Sequence, residues 1–497
     1  MGRFLIVVLL GLQAVFQSDA WALNFDSIKK GASMSAVRTY MNYSENIDPA
    51  HILTMADLEL SISLSSTLVM FDENRELVSG IAKVWKPIEG NKIEFIFRDN
   101  LKWSSGDKIT ADQYKQSLLR AKKMYPNDLR PLFDSIEKIE SPNELTLVIT
   151  TKDKITTSEI LLKLSEAMYG LVALDKSGNL DLSKSSGPFV VEKNTKDLLS
   201  LRVNRHWYLY KEGMPEKIEL KRPTPNADVL AEFSQDNWAN LVTGNSIIKE
   251  EILNGFKKEG FKTWQRADDK LFALYPSKTF ATRGGSEVIK LLSESKKATG
   301  LLTGLSGYSI AEQFFPRGYA LWSSVEPKTE KAKIKKFDGA IKIIVPESYY
   351  AVPTKERLPQ IVKEAIGTTH VTVEIVPLSK INDRMKAQDY DILATGIAVA
   401  DPNFEGAVSF FIERDPPFIP SGPAPFDFAS QIKSARSLKS VKERAEKMKD
   451  IIIHAQEMGY VLPLFHFSSI AVAKPGVDIS EIPNTDETVH FSKVRIK

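Results

Sequence analysis

Ile93, Phe95 and Phe97 share one face of the run from Lys92 to Arg98, and that period of two predicts a half-buried strand. Gly90-Asn91 just before it supplies the residues of a tight hairpin turn, which places Val84-Trp85 on the partner strand. Thr110 and Gln113 then form a capping box at the start of a helix running through Tyr114, Leu118 and Leu119. Leu145 to Ile149 reads as another strand. Pro188 to Val191 and Leu199 to Val203 flank a polar turn at Asn194 to Asp197, and Ile218-Glu219-Leu220 alternates again.

In the second half the period changes repeatedly. Val288, Leu291 and Leu292 predict a helix after Gly285, and Ala340 to Val345 reads as a buried strand. Helix then strand recurs at Leu358 to Ile366 with Val371 to Val376, and at Ile381 to Ala387 with Tyr390 to Ala394. Such αβ alternation predicts a twisted sheet. Five prolines between Pro416 and Pro425 predict an irregular loop. Ser440 and Glu443 open a further capping box, starting a long amphipathic helix that ends near Gly459, and Tyr460 to Phe465 returns to strand. A chain of 497 residues is too long for one compact core. The class is therefore α/β, with more than one lobe.

The N-terminus alters the expected compartment. Arg3, the apolar run from Phe4 to Phe16 and the small residues of Ala20-Trp21-Ala22 have the form of a secretory signal peptide cleaved after Ala22. A membrane anchor is the alternative, but the run falls short of the ~20 apolar residues that span a bilayer. The mature protein is thus expected to be soluble and periplasmic or extracellular. With 66 Lys+Arg against 63 Asp+Glu, the net charge of +3 forms no broad basic surface, so neither nucleic acid nor an acidic membrane is expected as the main partner. The absence of cysteine excludes disulfides, thiolate metal sites, iron–sulfur clusters and a cysteine nucleophile.

Enzyme signatures are also missing. Gly304-Leu305-Ser306-Gly307-Tyr308 approaches a nucleophile elbow, but its second glycine comes one position early. Neither a phosphate loop nor a Gly-x-Gly-x-x-Gly fingerprint is present. The six histidines never pair at i,i+3 or i,i+4, although His454 and His466 flank one helix end and could meet in space. No catalytic residue, metal or cofactor is expected. A carboxylate acid/base pair brought together only by folding remains open.

The order of several motifs resembles the extracytoplasmic solute-binding proteins of peptide and nickel ABC importers, family 5. Asn46-Ile47-Asp48-Pro49-Ala50 looks like that family's opening, and Gly80 to Trp85 its alanine…tryptophan segment. The most specific block is Ile93 to Gly106, with Arg98, Lys102-Trp103 and Gly106, continued by Ile109-Thr110-Ala111-Asp112. Ser186-Gly187-Pro188-Phe189, Leu201 to Tyr208, Phe426-Asp427 and Val461 to Phe465 are similar to later family segments. Between about 225 and 335 little can be aligned.

This resemblance implies a two-lobed, Venus-flytrap-like receptor of the periplasmic-binding-protein type with an additional smaller domain, closing on its solute by hinge motion. The expected division is a signal peptide at 1–22 and a first lobe of 23–57, 171–240 and 459–497. The small domain would take 58–170 and the second lobe 241–458. A monomer is expected. The receptor would capture a peptide or similar small solute and deliver it to an inner-membrane ABC permease; the alternative is a sensor or chaperone of the same fold without a transport partner. In peptide-binding members an aspartate after tryptophan-x-x holds the ligand ammonium, and Asp401 matches it. A desolvated carboxylate suits that task, while an aspartate before Pro402 equally suits a turn. Ala398 stands where the tryptophan should be, and Phe404, Phe410 and Phe411 could refill the cleft, with core packing the expected fate of at least two.

Overall fold

The computed structural model describes residues 36–496 apart from 53, 73–75, 127–131, 153–154, 223–232, 234–237, 245–249, 303–307, 312, 315–330, 348–350, 369, 399–407, 409–410, 414–415, 421–426, 439–440 and 483–488. The signal-peptide span 1–22 lies outside the described residues. The architecture is α/β with two lobes and a smaller domain.

The small domain is built on an antiparallel sheet in the order Ala82–Ile88, Lys92–Phe97, Thr146–Thr151, Ile136–Asn143. Ile93, Phe95 and Phe97 are buried and their neighbours are not, as the alternation predicts. Gly90 and Asn91 both have positive φ (79° and 53°), the backbone of a two-residue hairpin turn whose twist matches its strands. The helix Ala111–Met124 starts at the expected capping box: the Thr110 amide donates to Gln113 Oε1 (2.9 Å) and the Gln113 amide to Thr110 Oγ1 (3.4 Å). Its buried stripe is Tyr114, Leu118 and Ala121, at i, i+4 and i+7, whereas Leu119 is 43% exposed. Leu119 sits about 100° round the helix from Leu118, beyond the edge of the core-facing stripe.

The first lobe holds a four-stranded sheet ordered Ala36–Tyr40, Lys217–Lys221, Leu199–Val203, Phe189–Asn194, the first pair parallel and the rest antiparallel. The large sheet runs from the first lobe into the second. Its order is Leu241–Gly244, Leu462–Ala473, Lys262–Pro276, Ile392–Ala398, Ile341–Pro346, Val371–Val376, with Tyr308–Ile310 also paired to the C-terminal strand. Ile341–Pro346 runs parallel to both of its neighbours, and the helices Ala351–Ile366 and Leu378–Ala387 supply the connections that parallel pairing requires. Pro416 to Pro420 is irregular, as the proline density predicts.

Two strands belong to both lobes. Trp264 and Ala471 pack in the first lobe's core with Val37, Phe189 and Ile218. Further along the same strands, Phe272 and Phe465 pack in the second lobe's core with Ile343 and Val362. The register between the two strands shifts between Arg266 and Lys270, a bulge that lets a strand pair bend and twist. Lys262–Pro276 falls in the segment that aligned with no family motif. Its Gln-Arg-Ala-Asp-Asp-Lys centre interrupts the alternation that would mark it as a strand.

Candidate functional site

Lys342, Asp391 and Ser277 fix one end of the strand that leads to the expected ligand aspartate. The Lys342 amide donates to Asp391 Oδ2 (2.8 Å), and the Asp391 amide donates back to the Lys342 carbonyl (2.8 Å). The Ser277 amide donates to the Asp391 carbonyl (2.8 Å), and the Arg283 guanidinium pairs with the Asp391 carboxylate. From this anchor Ile392–Ala398 runs antiparallel to Lys262–Pro276 until Ala398 lies opposite Lys270. Lys270 also pairs with Phe467. The carboxyl end of Ile392–Ala398 therefore emerges where both long strands cross between lobes. In open sheets that include parallel strands, the crevice beyond the strands' carboxyl ends is the usual ligand position.

Asp401 and Phe404 follow Ala398 by three and six residues and lie outside the described residues, as does Phe410. Phe411 is fully buried. Its ring stacks on Tyr275 (centroids 6.2 Å) and takes the edge of Phe314 (4.6 Å), so it packs the core. Sequence reasoning passed over Lys270 and Asp391, because the partner opposite Ala398 and the anchor of its strand are set by sheet pairing. His454 sits beside Glu457 (3.7 Å), and His466 is buried with Nε2 3.3 Å from the Phe314 carbonyl. Among the described residues no group of three His, Cys, Asp or Glu could hold a metal ion.

The motifs that carry the family resemblance build a junction between the first lobe and the small domain. Asn204 Nδ2 donates to the carbonyls of Ser185 (3.3 Å) and Gly187 (2.8 Å), and Trp207 Nε1 donates to Ser66 Oγ (3.1 Å). The Ser104 amide donates to the Ser185 carbonyl (2.9 Å). Gly187 lies so close to the end of the helix Met55–Leu64 that a Cβ there would be 2.6 Å from the Ser65 nitrogen. On the small domain, the helix Thr157–Leu164 carries Lys163, whose ammonium pKa is pushed down by burial first and by Arg436 next. Glu166, Glu159 and Glu413 act on it in the opposite direction. Arg436 and Glu413 belong to the second lobe and pair with each other (2.7 Å), so small domain and second lobe face one another through charged groups.

Residues 76–264 match the family model of bacterial extracellular solute-binding proteins, family 5 Middle. Over 84 residues the chain is 31% identical to the periplasmic murein peptide-binding protein MppA of Escherichia coli strain K12, a match spanning 17% of this chain and 16% of that relative. The solved structure of the Escherichia coli murein tripeptide binding protein MppA superposes over 93% of this chain and 98% of its own, with a TM-score of 0.73 at 15% identity. A periplasmic oligopeptide-binding protein from Borrelia burgdorferi gives 93%, 99%, 0.73 and 16% for the same quantities. NikA from Brucella suis, solved in complex with Fe(III)-EDTA, gives 93%, 100%, 0.74 and 18%. At these identities the superpositions speak for the fold.

Proposed function

From the match of residues 76–264 to the model of bacterial extracellular solute-binding proteins, family 5, we propose that the chain is a member of that family and a receptor that captures a peptide or similar small solute between its lobes and delivers it to an ABC importer of the inner membrane. Members of the family are binding proteins rather than enzymes. The observation that carries the reading is the pair of strands Lys262–Pro276 and Leu462–Ala473, which pass from one core to the other with a bulge between. Such a connection suits hinge closure around a ligand. Relatives described as binding murein tripeptide or oligopeptide support the solute class. The proposed compartment is the periplasm, and among the described residues no helix is long and apolar enough to cross a membrane. The proposed division is the one expected from sequence, with the two long strands shared between lobes.

Asp401 is proposed to receive the ligand's ammonium, with Phe404 on the cleft wall. Mass spectrometry of solutes released on denaturing the purified protein should find peptides, whose binding the Asp401→Asn variant then tests. A buried charged pair broken from one side costs ~3–5 kcal/mol, so affinity for a free-amine peptide should fall by a factor on the order of 100 or more. The N-acetylated form should lose little. Undiminished affinity for the free-amine peptide would remove Asp401 from the site, and a protein that never carries or binds a small solute would overturn the receptor reading.

A further inference from the structure

The segment Lys331 to Phe337 lies across the second lobe with its lysines turned outward. Lys331, Lys333, Lys335 and Lys336 are exposed, whereas Ala332, Ile334 and Phe337 are half-buried. Ile334 and Phe337 pack against the second lobe's core, and the Phe337 ring meets Phe280 edge-on (centroids 5.8 Å). Two neighbouring acids are turned to the backbone. The Ala332 amide donates to Glu294 Oε1 and the Lys333 amide to Glu287 Oε2. Glu287 also pairs with Lys290, which is buried (3.2 Å). The helix that carries both glutamates ends at exposed Lys296, followed by Lys297.

Of these outward lysines, Lys336 pairs with Asp338 (2.5 Å) and Lys297 with Glu364 (3.2 Å). Lys296, Lys331, Lys333 and Lys335 have no ion-pair partner among the described residues. The ridge contains lysine and no arginine. Lysine is a strongly hydrated point charge without the planar fork that reads a phosphate or a base edge, so the ridge suits a diffuse anionic surface better than one bound group. Exposed aromatic residues, which stack on single-stranded nucleic acid, do not interleave the lysines from 331 to 336. The chain's net charge of only +3 makes the attraction local, acting within about a Debye length of ~10 Å.

We propose that this lysine ridge is an electrostatic contact surface for a bilayer rich in acidic phospholipid. The contact is independent of what binds in the cleft. Co-sedimentation of the purified protein with phosphatidylglycerol–phosphatidylcholine vesicles at low salt tests it. The parent should bind these vesicles and not pure phosphatidylcholine, and 0.5 M salt should abolish binding, a roughly tenfold or greater loss by screening. The variant carrying Lys331→Glu, Lys333→Glu and Lys335→Glu should lose binding tenfold or more while keeping its thermal midpoint. A charge-matched control with Lys257→Glu, Lys258→Glu and Lys262→Glu should keep it. Equal sedimentation of parent and ridge variant, equal loss in the control, or tighter binding to a single-stranded oligonucleotide than to the vesicles would overturn the proposal.

Discussion

Asp48 and Arg120 form a buried ion pair, 2.6 Å apart, that ties the N-terminal segment to a helix of the small domain. Their side chains are 2% and 13% exposed. The Tyr125 hydroxyl donates to Asp48 Oδ2 (3.0 Å), and the Ala50 amide to Asp48 Oδ1 (3.1 Å). The carboxylate thus has partners on both of its oxygens, which is what a buried charge requires. The Ile47-Asp48-Pro49 motif owes its form to this joint.

Breaking that pair from one side should be costly. Arg120→Met leaves the buried Asp48 carboxylate with the Tyr125 hydroxyl and the Ala50 amide but no cation, and Asp48→Ala strands the guanidinium; each is expected to lose ~3–5 kcal/mol. Asp48→Leu combined with Arg120→Met removes both charges and should recover part of the loss. Denaturant unfolding of the three variants checks this, and additive losses in the double variant would contradict it.

Gly187→Ala should destabilise the junction between the first lobe and the small domain. A Cβ there meets the Ser65 nitrogen at 2.6 Å and the Leu64 carbonyl carbon at 2.7 Å, both backbone atoms that cannot swing away. Overpacking of this kind typically costs ~1–3 kcal/mol, and more where the neighbours are rigid. The midpoint of chemical denaturation reads it; a stability equal to the parent's would mean that the helix end yields.

Asp391 and Arg283 should respond unequally. Asp391 is 12% exposed in its side chain and accepts a backbone amide, whereas the Arg283 side chain is 56% exposed. Arg283→Ala therefore removes a largely solvated partner and should cost ~1 kcal/mol or less. Asp391→Ala leaves the Lys342 amide, on a half-buried residue, without its side-chain acceptor and should cost ~1–3 kcal/mol. Thermal melts of the two variants should rank in that order.

Tyr208 should hold its proton well above the ordinary tyrosine range. Burial pushes its hydroxyl up to about 12, and the Arg98 guanidinium, 5.1 Å from the ring centre, lowers it only partly. Tyr114, fully buried, is raised by burial as well. Between the unfolded value near 10 and the folded value, the native state holds more protons than the unfolded one. Stability is therefore intact below pH 10 and falls as pH rises through that window. Phenolate absorbance should show these tyrosines ionising later than the exposed ones, together with loss of folded ellipticity. A single transition near pH 10 for all 14 tyrosines, with the fold intact, would refute this.

What could be read from the sequence was local. The alternation of Ile93, Phe95 and Phe97, the capping box of Thr110 and Gln113 and the turn at Gly90-Asn91 depend on residues within one or two turns of each other, so their chemistry is legible along the chain. The family resemblance came from residues such as Gly187, Asn204 and Trp207, whose side chains or absence of one hold the junction together. Such constraints leave a residue pattern but not its reason. The helix–strand alternation from Leu358 to Ala394 likewise announced the sheet without the order of its strands.

Tertiary structure decided what depends on partners far away in the chain. Whether Leu118 or Leu119 turns inward is set by the face presented to the small sheet. Lys262–Pro276 is one strand because Leu462–Ala473 and Ile392–Ala398 pair along its two sides and satisfy its backbone, despite the polar residues at its centre. The meeting of Ala398, Lys270 and Phe467, the point from which Asp401 follows, joins residues up to 197 positions apart. Hydrogen bonding between strands is non-local by nature, so no window along the sequence contains it.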